Sequence, residues 1–202
     1  MIFTDSTMFV FGTLNAVGTA DEPIVFTSET RWQGIRILNP FDNSVIVNGI
    51  IEKVNGTALD INRGLLNLSD SIVRSSTQGI RVRSNGATIV YNEIYSNDIG
   101  VLGGGEMSFN LSGNTIRDNV VGISIDGPLG TLTFSGNNIV HNVGANLEVT
   151  GVGDSIVDAF SNWWGTADAV LVEGTIRHQF DYASLPLVVY EPVATAPILD
   201  VR

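Results

Sequence analysis

Hydrophobic and polar positions return in step along this chain. Ile50, Ile72, Ile94, Ile116 and Ile139 recur at intervals of 22, 22, 22 and 23 residues, and Asn48, Asp70, Asn92, Asn114 and Asn137 stand two residues ahead of them. A period near ~22 residues with short alternating segments predicts a solenoid whose coils share one core. Three strands per coil follow from the pattern. The first carries a small residue and then alternation: Gly34-Ile-Arg-Ile37, Ala58-Leu-Asp-Ile61, Gly79-Ile-Arg-Val82, Gly122-Ile-Ser-Ile125 and, more loosely, Leu147-Glu-Val149. Alternation directs Ile35 and Ile37, or Ile80 and Val82, inward. The second strand buries Leu66 and Leu68, Phe109 and Leu111, or Leu132 and Phe134, and turns Asn67, Thr88, Asn110 and Thr133 outward. The third starts at the isoleucine column, with Ile50 expected to rest on Ile72 and Ile72 on Ile94. Glycine ahead of the first strand suits a corner that needs φ > 0.

The column Asn48, Asp70, Asn92, Asn114, Asn137 and Asn162 falls at the turn before the third strand. Carboxamides stacked at the ~4.8 Å rung spacing pass hydrogen bonds from coil to coil. An ionised Asp70 only accepts, so the ladder is expected to reverse direction there. Asn97, Asn119 and Asn142 form a shorter second column. Coils stop at Asn162-Trp-Trp-Gly165: residues 1–165 are assigned to the solenoid and 166–202 to a C-terminal cap and tail of the same domain. Trp163 and Trp164 are expected to seal the last coil. Val170, Leu171 and Ile176 are expected to face the core, and the proline-containing Leu185–Pro192 to close the edge.

Composition removes several function classes. The chain has 202 residues, 10 Lys and Arg against 21 Asp and Glu, a net charge of −11, and no cysteine. Thiol chemistry and cysteine-ligated zinc are excluded, and a polyanion such as nucleic acid is repelled by most of the surface. No apolar run reaches the ~20 residues of a membrane span. The opening residues lack the pattern of a signal peptide, which reads as a leader already removed or as a fragment.

Gly12-Thr-Leu-Asn-Ala-Val-Gly-Thr19, Pro23-Ile-Val-Phe-Thr-Ser28, Trp32-Gln-Gly-Ile35, the Gly-Ile and Asn-x-Ile repeats and Asn162-Trp-Trp-Gly165 together resemble bacterial extracellular right-handed parallel β-helix proteins of the pectate-lyase-like superfamily. The resemblance covers nearly the whole chain. It implies an all-β, single-stranded right-handed parallel β-helix of about six to seven coils, in line with the handedness of parallel crossovers. It also implies an extracellular or cell-surface location. The amphipathic N-terminal helix that often caps such folds is missing, so an upstream domain or a second copy is expected at that end.

Outward positions of the first strand stack as Arg36, Asp60, Arg81, Leu102 and Ser124, with Arg83 on the same face. In the superfamily this sheet often floors a polysaccharide groove. Arg36, Arg81 and Arg83 are candidates for holding uronate carboxylates by bidentate pairing, with Asp60 beside them. The bland alternative is an exposed salt-bridge stack. A further outward column, Ile51, Val73, Tyr95, Arg117 and Val140, predicts an apolar strip for the tail, a second subunit or a glycan along Tyr95.

No catalytic set emerges. Asp60 lacks the acidic neighbours that calcium needs, the one lysine, Lys53, lies on another strand, and Asp118, Asp126, Asp154 and Asp158 form no acid/base pair. His141 and His178 lack metal-ligand spacing, and Gly103-Gly-Gly105 lacks the Lys-Ser/Thr of a phosphate loop. The leading expectation is therefore a non-catalytic β-helix module, structural or glycan-binding, without a cofactor. The alternative is a polysaccharide lyase or epimerase acting on a uronate-containing glycan, in which calcium takes part.

Overall fold

The computed structural model describes every residue except 1, 4, 40, 105–107, 127–131, 154–155 and 200–202. Asp154 and Gly105 of the sequence reading thus lie outside the described residues. The fold is a parallel β-solenoid. One face stacks eight strands in an unbroken parallel series from Asn15–Val17 to Leu187–Val189. The other two faces merge into a 13-stranded sheet, because Gly49–Ile61 and Ile72–Val82 run from the third face around the corner into the first. There are about five regular turns, not six to seven; short strands at both ends, such as Ile2–Phe3 and Ile176–Arg177, extend the stack without completing coils.

Alternation on the first and second faces runs as expected. Ile35, Leu59, Ile80, Val101, Ile123 and Leu147 lie in register in the core. Asn67, Thr88 and Asn110 pair along the outside of the second face. The third face differs by one residue. Ile50 pairs with Ile72, but Ile72 pairs with Glu93 and not with Ile94. The buried column is Ile51, Val73, Ile94, Ile116 and Ile139, while Ile50 and Ile72 are half-buried on the outside. A one-residue shift in a strand of period two exchanges its faces.

The same shift corrects the ladder. Asn48 and Asp70 take positive φ of 49° and 52° at the corner, where Tyr91, Gly113, Gly136 and Ser161 stand in later coils. The hydrogen-bonding position is one residue further on: Gly49, Ser71, Asn92, Asn114, Asn137 and Asn162. The backbone N–H of Ser71, Asn92, Asn114 and Asn137 each donates to the side-chain oxygen of the next asparagine at 2.9–3.0 Å. The Nδ2 groups of Asn92, Asn114 and Asn137 donate to the same oxygens at 3.0 Å. Direction never reverses: the series begins with the Gly49 N–H donating to Ser71 Oγ at 2.9 Å, and Asp70 is not one of its rungs. A second ladder runs Ser76, Asn97, Asn119, Asn142 and ends on Asn146.

Glycines at the start of the first face work by closeness, not by φ. A Cβ on Gly79 stands 2.5 Å from the Gly100 carbonyl oxygen, and one on Gly100 stands 2.6 Å from that of Gly122. Only hydrogen fits between these coils. Gly34, at φ 89°, is the member that also needs the left-handed region.

At the C-terminal end, Asp168 caps a short helix, Ala169–Glu173, by accepting from the Val170 and Leu171 N–H groups. Val172 and Ile176 are buried, whereas Val170 and Leu171 point to solvent: the helix face is set by Asp168, one step from where the apolar run suggested. Trp164 is buried at 3% exposure, and Trp163 is half-buried as the next rung against Asn138. Leu187–Val189 adds in parallel to Ile156–Asp158. The fully buried His178 pins this strand, accepting from the Val188 N–H at Nδ1 and meeting Glu173 through Nε2 at 2.8 Å. Beyond it the tail crosses to the third face, where Asn138 bonds both the N–H and the carbonyl of Ile198.

Candidate functional site

The outward column of the first face reads Phe9, Arg36, Asp60, Arg81, Leu102, Ser124, Glu148 and Arg177 in strand register. Asp60 is the centre of its N-terminal half. Its side chain is only 4% exposed, and it takes two arginines at once. Arg36 Nε lies 2.9 Å from Oδ2, while Arg83 grips both oxygens, Nε to Oδ1 at 3.1 Å and Nη2 to Oδ2 at 2.5 Å. A neighbour in register, Arg36, and a diagonal one, Arg83, thus neutralise one buried carboxylate. This geometry leaves Asp60 no open oxygen for a calcium ion, which takes six to eight oxygen ligands.

Arg81 stands on the next rung and makes no ion pair or hydrogen bond among the described residues. It borders a hollow of about 210 Å³ lined by Arg83, Leu102, Gly103, Gly104 and Asp126. The floor is apolar. Gly104 pairs with Asp126 on the following rung, and a Cβ at Gly104 stands 2.7 Å from the Asp126 carbonyl oxygen. Close stacking thus requires a residue without a side chain at a place where one would fill the hollow.

Tyr95 belongs elsewhere. It lies on the third face in the outward series Glu52, Arg74, Tyr95, Arg117 and Val140. Arg74 Nη1 donates to its hydroxyl at 2.8 Å, and the Arg117 guanidinium sits 4.3 Å above its ring. The expected apolar strip is absent because Ile51 and Val73 are the buried partners in their strands and Glu52 and Arg74 take the outside. Burial alone raises the Glu52 carboxyl, but hydrogen bonds from Arg74 and Thr27 outweigh it and hold the group below the ordinary carboxylate range. A lowered carboxyl stabilises the fold fully above its unfolded value of about 4.3 and loses that contribution as pH falls through the lowered one. Glu52→Gln is accordingly expected to melt below wild type at pH 7, with the gap narrower at a pH below about 4.3. Thermal scans at the two pH values check this.

Sequence reasoning placed Arg36, Asp60, Arg81 and Arg83 on one face. It missed Asp126, Leu102 and Gly104 as the wall and floor of a hollow. The signal was the glycine at an outward position between Arg83 and Asp126.

A family model described as periplasmic copper-binding protein (NosD) matches residues 16–162. No curated protein and no solved structure matches the chain. Copper takes thiolate, thioether and imidazole ligands. The chain has no cysteine and two histidines; His178 is buried with both ring nitrogens engaged, and His141 is exposed at a corner of another coil. Among the described residues no three His, Asp or Glu side chains gather as a metal site, and the two histidines stand apart. The match covers well over half of the chain, and the stacked parallel coils agree with it: the chain belongs to the NosD family, a family of right-handed parallel β-helix proteins described as periplasmic and copper-binding.

Proposed function

We propose that this chain is a non-catalytic β-helix module that binds an acidic glycan on its first face, outside the cytoplasm. The carrying observation is the division of labour among the arginines: Arg36 and Arg83 are spent on Asp60, and Arg81, without an ion pair among the described residues, borders a hollow with an apolar floor. Guanidinium pairs with carboxylate in a fixed planar fork, and an apolar floor suits the face of a sugar ring. The periplasmic description of the family supports a location where polysaccharides are met. Against the lyase reading, Asp60 is already neutralised by Arg36 and Arg83. No helix among the described residues is long and apolar enough to cross a membrane.

The test is retention of the intact chain on immobilised pectate, alginate and dextran, with release of unsaturated product followed with and without calcium. Retention on one or both uronans, weakened by salt and without product, is expected. Equal passage through all three columns removes the glycan reading, and unsaturated product replaces it with the lyase.

A further inference from the structure

Two opposite charges with no ion pair or hydrogen bond among the described residues stand diagonally across the hollow of the first face. Arg81 lies on the rung before Leu102, and Asp126 on the rung after Gly104. Their backbones are therefore separated by two rung spacings, about 9.6 Å, and by two residues along the strand, about 6.6 Å, or about 12 Å in all. Neither has an ion pair or hydrogen bond among the described residues. Elsewhere on this face opposite charges have closed on each other. Asp60 holds Arg36 and Arg83, and Glu148 holds Arg177 at 3.5 Å and accepts from Ser124 at 3.0 Å. Between Arg81 and Asp126 the rung contributes Leu102 and Gly104 instead, so no side chain bridges the gap. The result is a cationic wall, an apolar floor and an anionic wall, open above.

We infer that this hollow is a subsite for a single carboxylate-bearing sugar ring, with Arg81 pairing to its carboxylate, Leu102 under the ring and Asp126 accepting from its hydroxyls. The assignment rests on the glycan reading above and adds to it the position and the sense of the ring. A neutral sugar satisfies Asp126 but leaves Arg81 unpaired, and a plain anion such as acetate does the reverse. Only a ligand carrying both groups uses the two walls together. Arg83 is not available for the task, since its fork is closed on Asp60.

Calorimetric titration of the full chain with a galacturonate trisaccharide, and with the neutral galactose trisaccharide, tests the subsite. Arg81→Gln is expected to weaken the acidic ligand by about ten- to hundred-fold, the scale of a lost charge-assisted hydrogen bond. Asp126→Asn is expected to weaken it by about three- to ten-fold. Arg177→Gln removes one positive charge from the same column, three rungs beyond Leu102, and is expected to change affinity less than about two-fold if screened surface charge contributes little. Both site variants are expected to melt with wild type, because neither residue has an ion pair or hydrogen bond to lose among the described residues. Equal weakening by Arg81→Gln and Arg177→Gln overturns the subsite in favour of a diffuse field. Undiminished affinity in Arg81→Gln and Asp126→Asn overturns it while leaving uronan retention, and with it the broader reading, intact. If wild type is not retained on uronans and does not bind the trisaccharide, both fall.

Discussion

Asn114→Leu is expected to lower stability by about 3–5 kcal/mol, at the upper end of single substitutions. The two side chains share branching and heavy-atom count, with leucine the bulkier, so the loss is chiefly one of hydrogen bonds, with some overpacking added. Asn114 is fully buried. Its Oδ1 receives both the N–H and the Nδ2 of Asn92, and its own Nδ2 supplies Ile89, Ser112 and the Oδ1 of Asn137. Leucine leaves the Asn92 N–H with no acceptor and no water within reach, and each such orphan costs about 1–3 kcal/mol. In a chain of this size that corresponds to a melting temperature lower by about 6–20 °C. Asn67→Ala on the exposed side of the second face is the contrast, expected within about 0.5 kcal/mol of wild type. Chemical denaturation followed by far-UV circular dichroism measures both, and a leucine variant within about 1 kcal/mol of wild type rules the ladder out as a main source of stability.

The second large effect is at the cap. Trp164→Ala is expected to cost about 3–5 kcal/mol, the usual range for emptying a buried indole site. Trp164 belongs to the hydrophobic core cluster, where the coils give way to the helix and tail. Its Nε1 is buried with no hydrogen-bond partner among the described residues. Trp164→Phe removes that orphan while keeping a ring in place, so it is expected to cost clearly less than alanine. If the two variants melt together, or alanine melts with wild type, the indole is not what seals the solenoid. Because stacked coils depend on their neighbours, the alanine variant is also expected to be cut sooner by protease within its tail.

Period, number of faces and the inner columns of two of them were legible, because Gly-Ile and Leu-x-Leu alternate without ambiguity. The third face was not, since Ile50-Ile51 and Ile72-Val73 each offer two apolar residues in succession. The deciding clue lay two residues on: Glu52 shares a face with Ile50, and Arg74 with Ile72, so burying those isoleucines buries two charges. That cost exceeds the gain from an aliphatic side chain. Equal spacing of Asn48, Asp70 and Asn92 concealed the shift, because asparagine and aspartate serve both the left-handed corner and the ladder one residue later.

For the candidate site, the column of Arg36, Asp60 and Arg81 follows from strand register and was visible in the sequence. Which arginine remains unpaired was not, because Arg83 reaches Asp60 on the diagonal and the length of a side chain does not show in a repeat. Tyr95 was assigned to the wrong company for the same reason as Ile50, through the register of the third strand.

The one-way order of the buried carboxamides also bears on how such a chain grows. Every internal rung offers the same acceptor backward and the same donor forward, so a duplicated unit of 22 or 23 residues slots between two existing ones with all its bonds made. The start at Gly49 and the finish at Asn162 stay as they are. Tandem gene duplication within this stretch therefore lengthens the rod without redesigning either end.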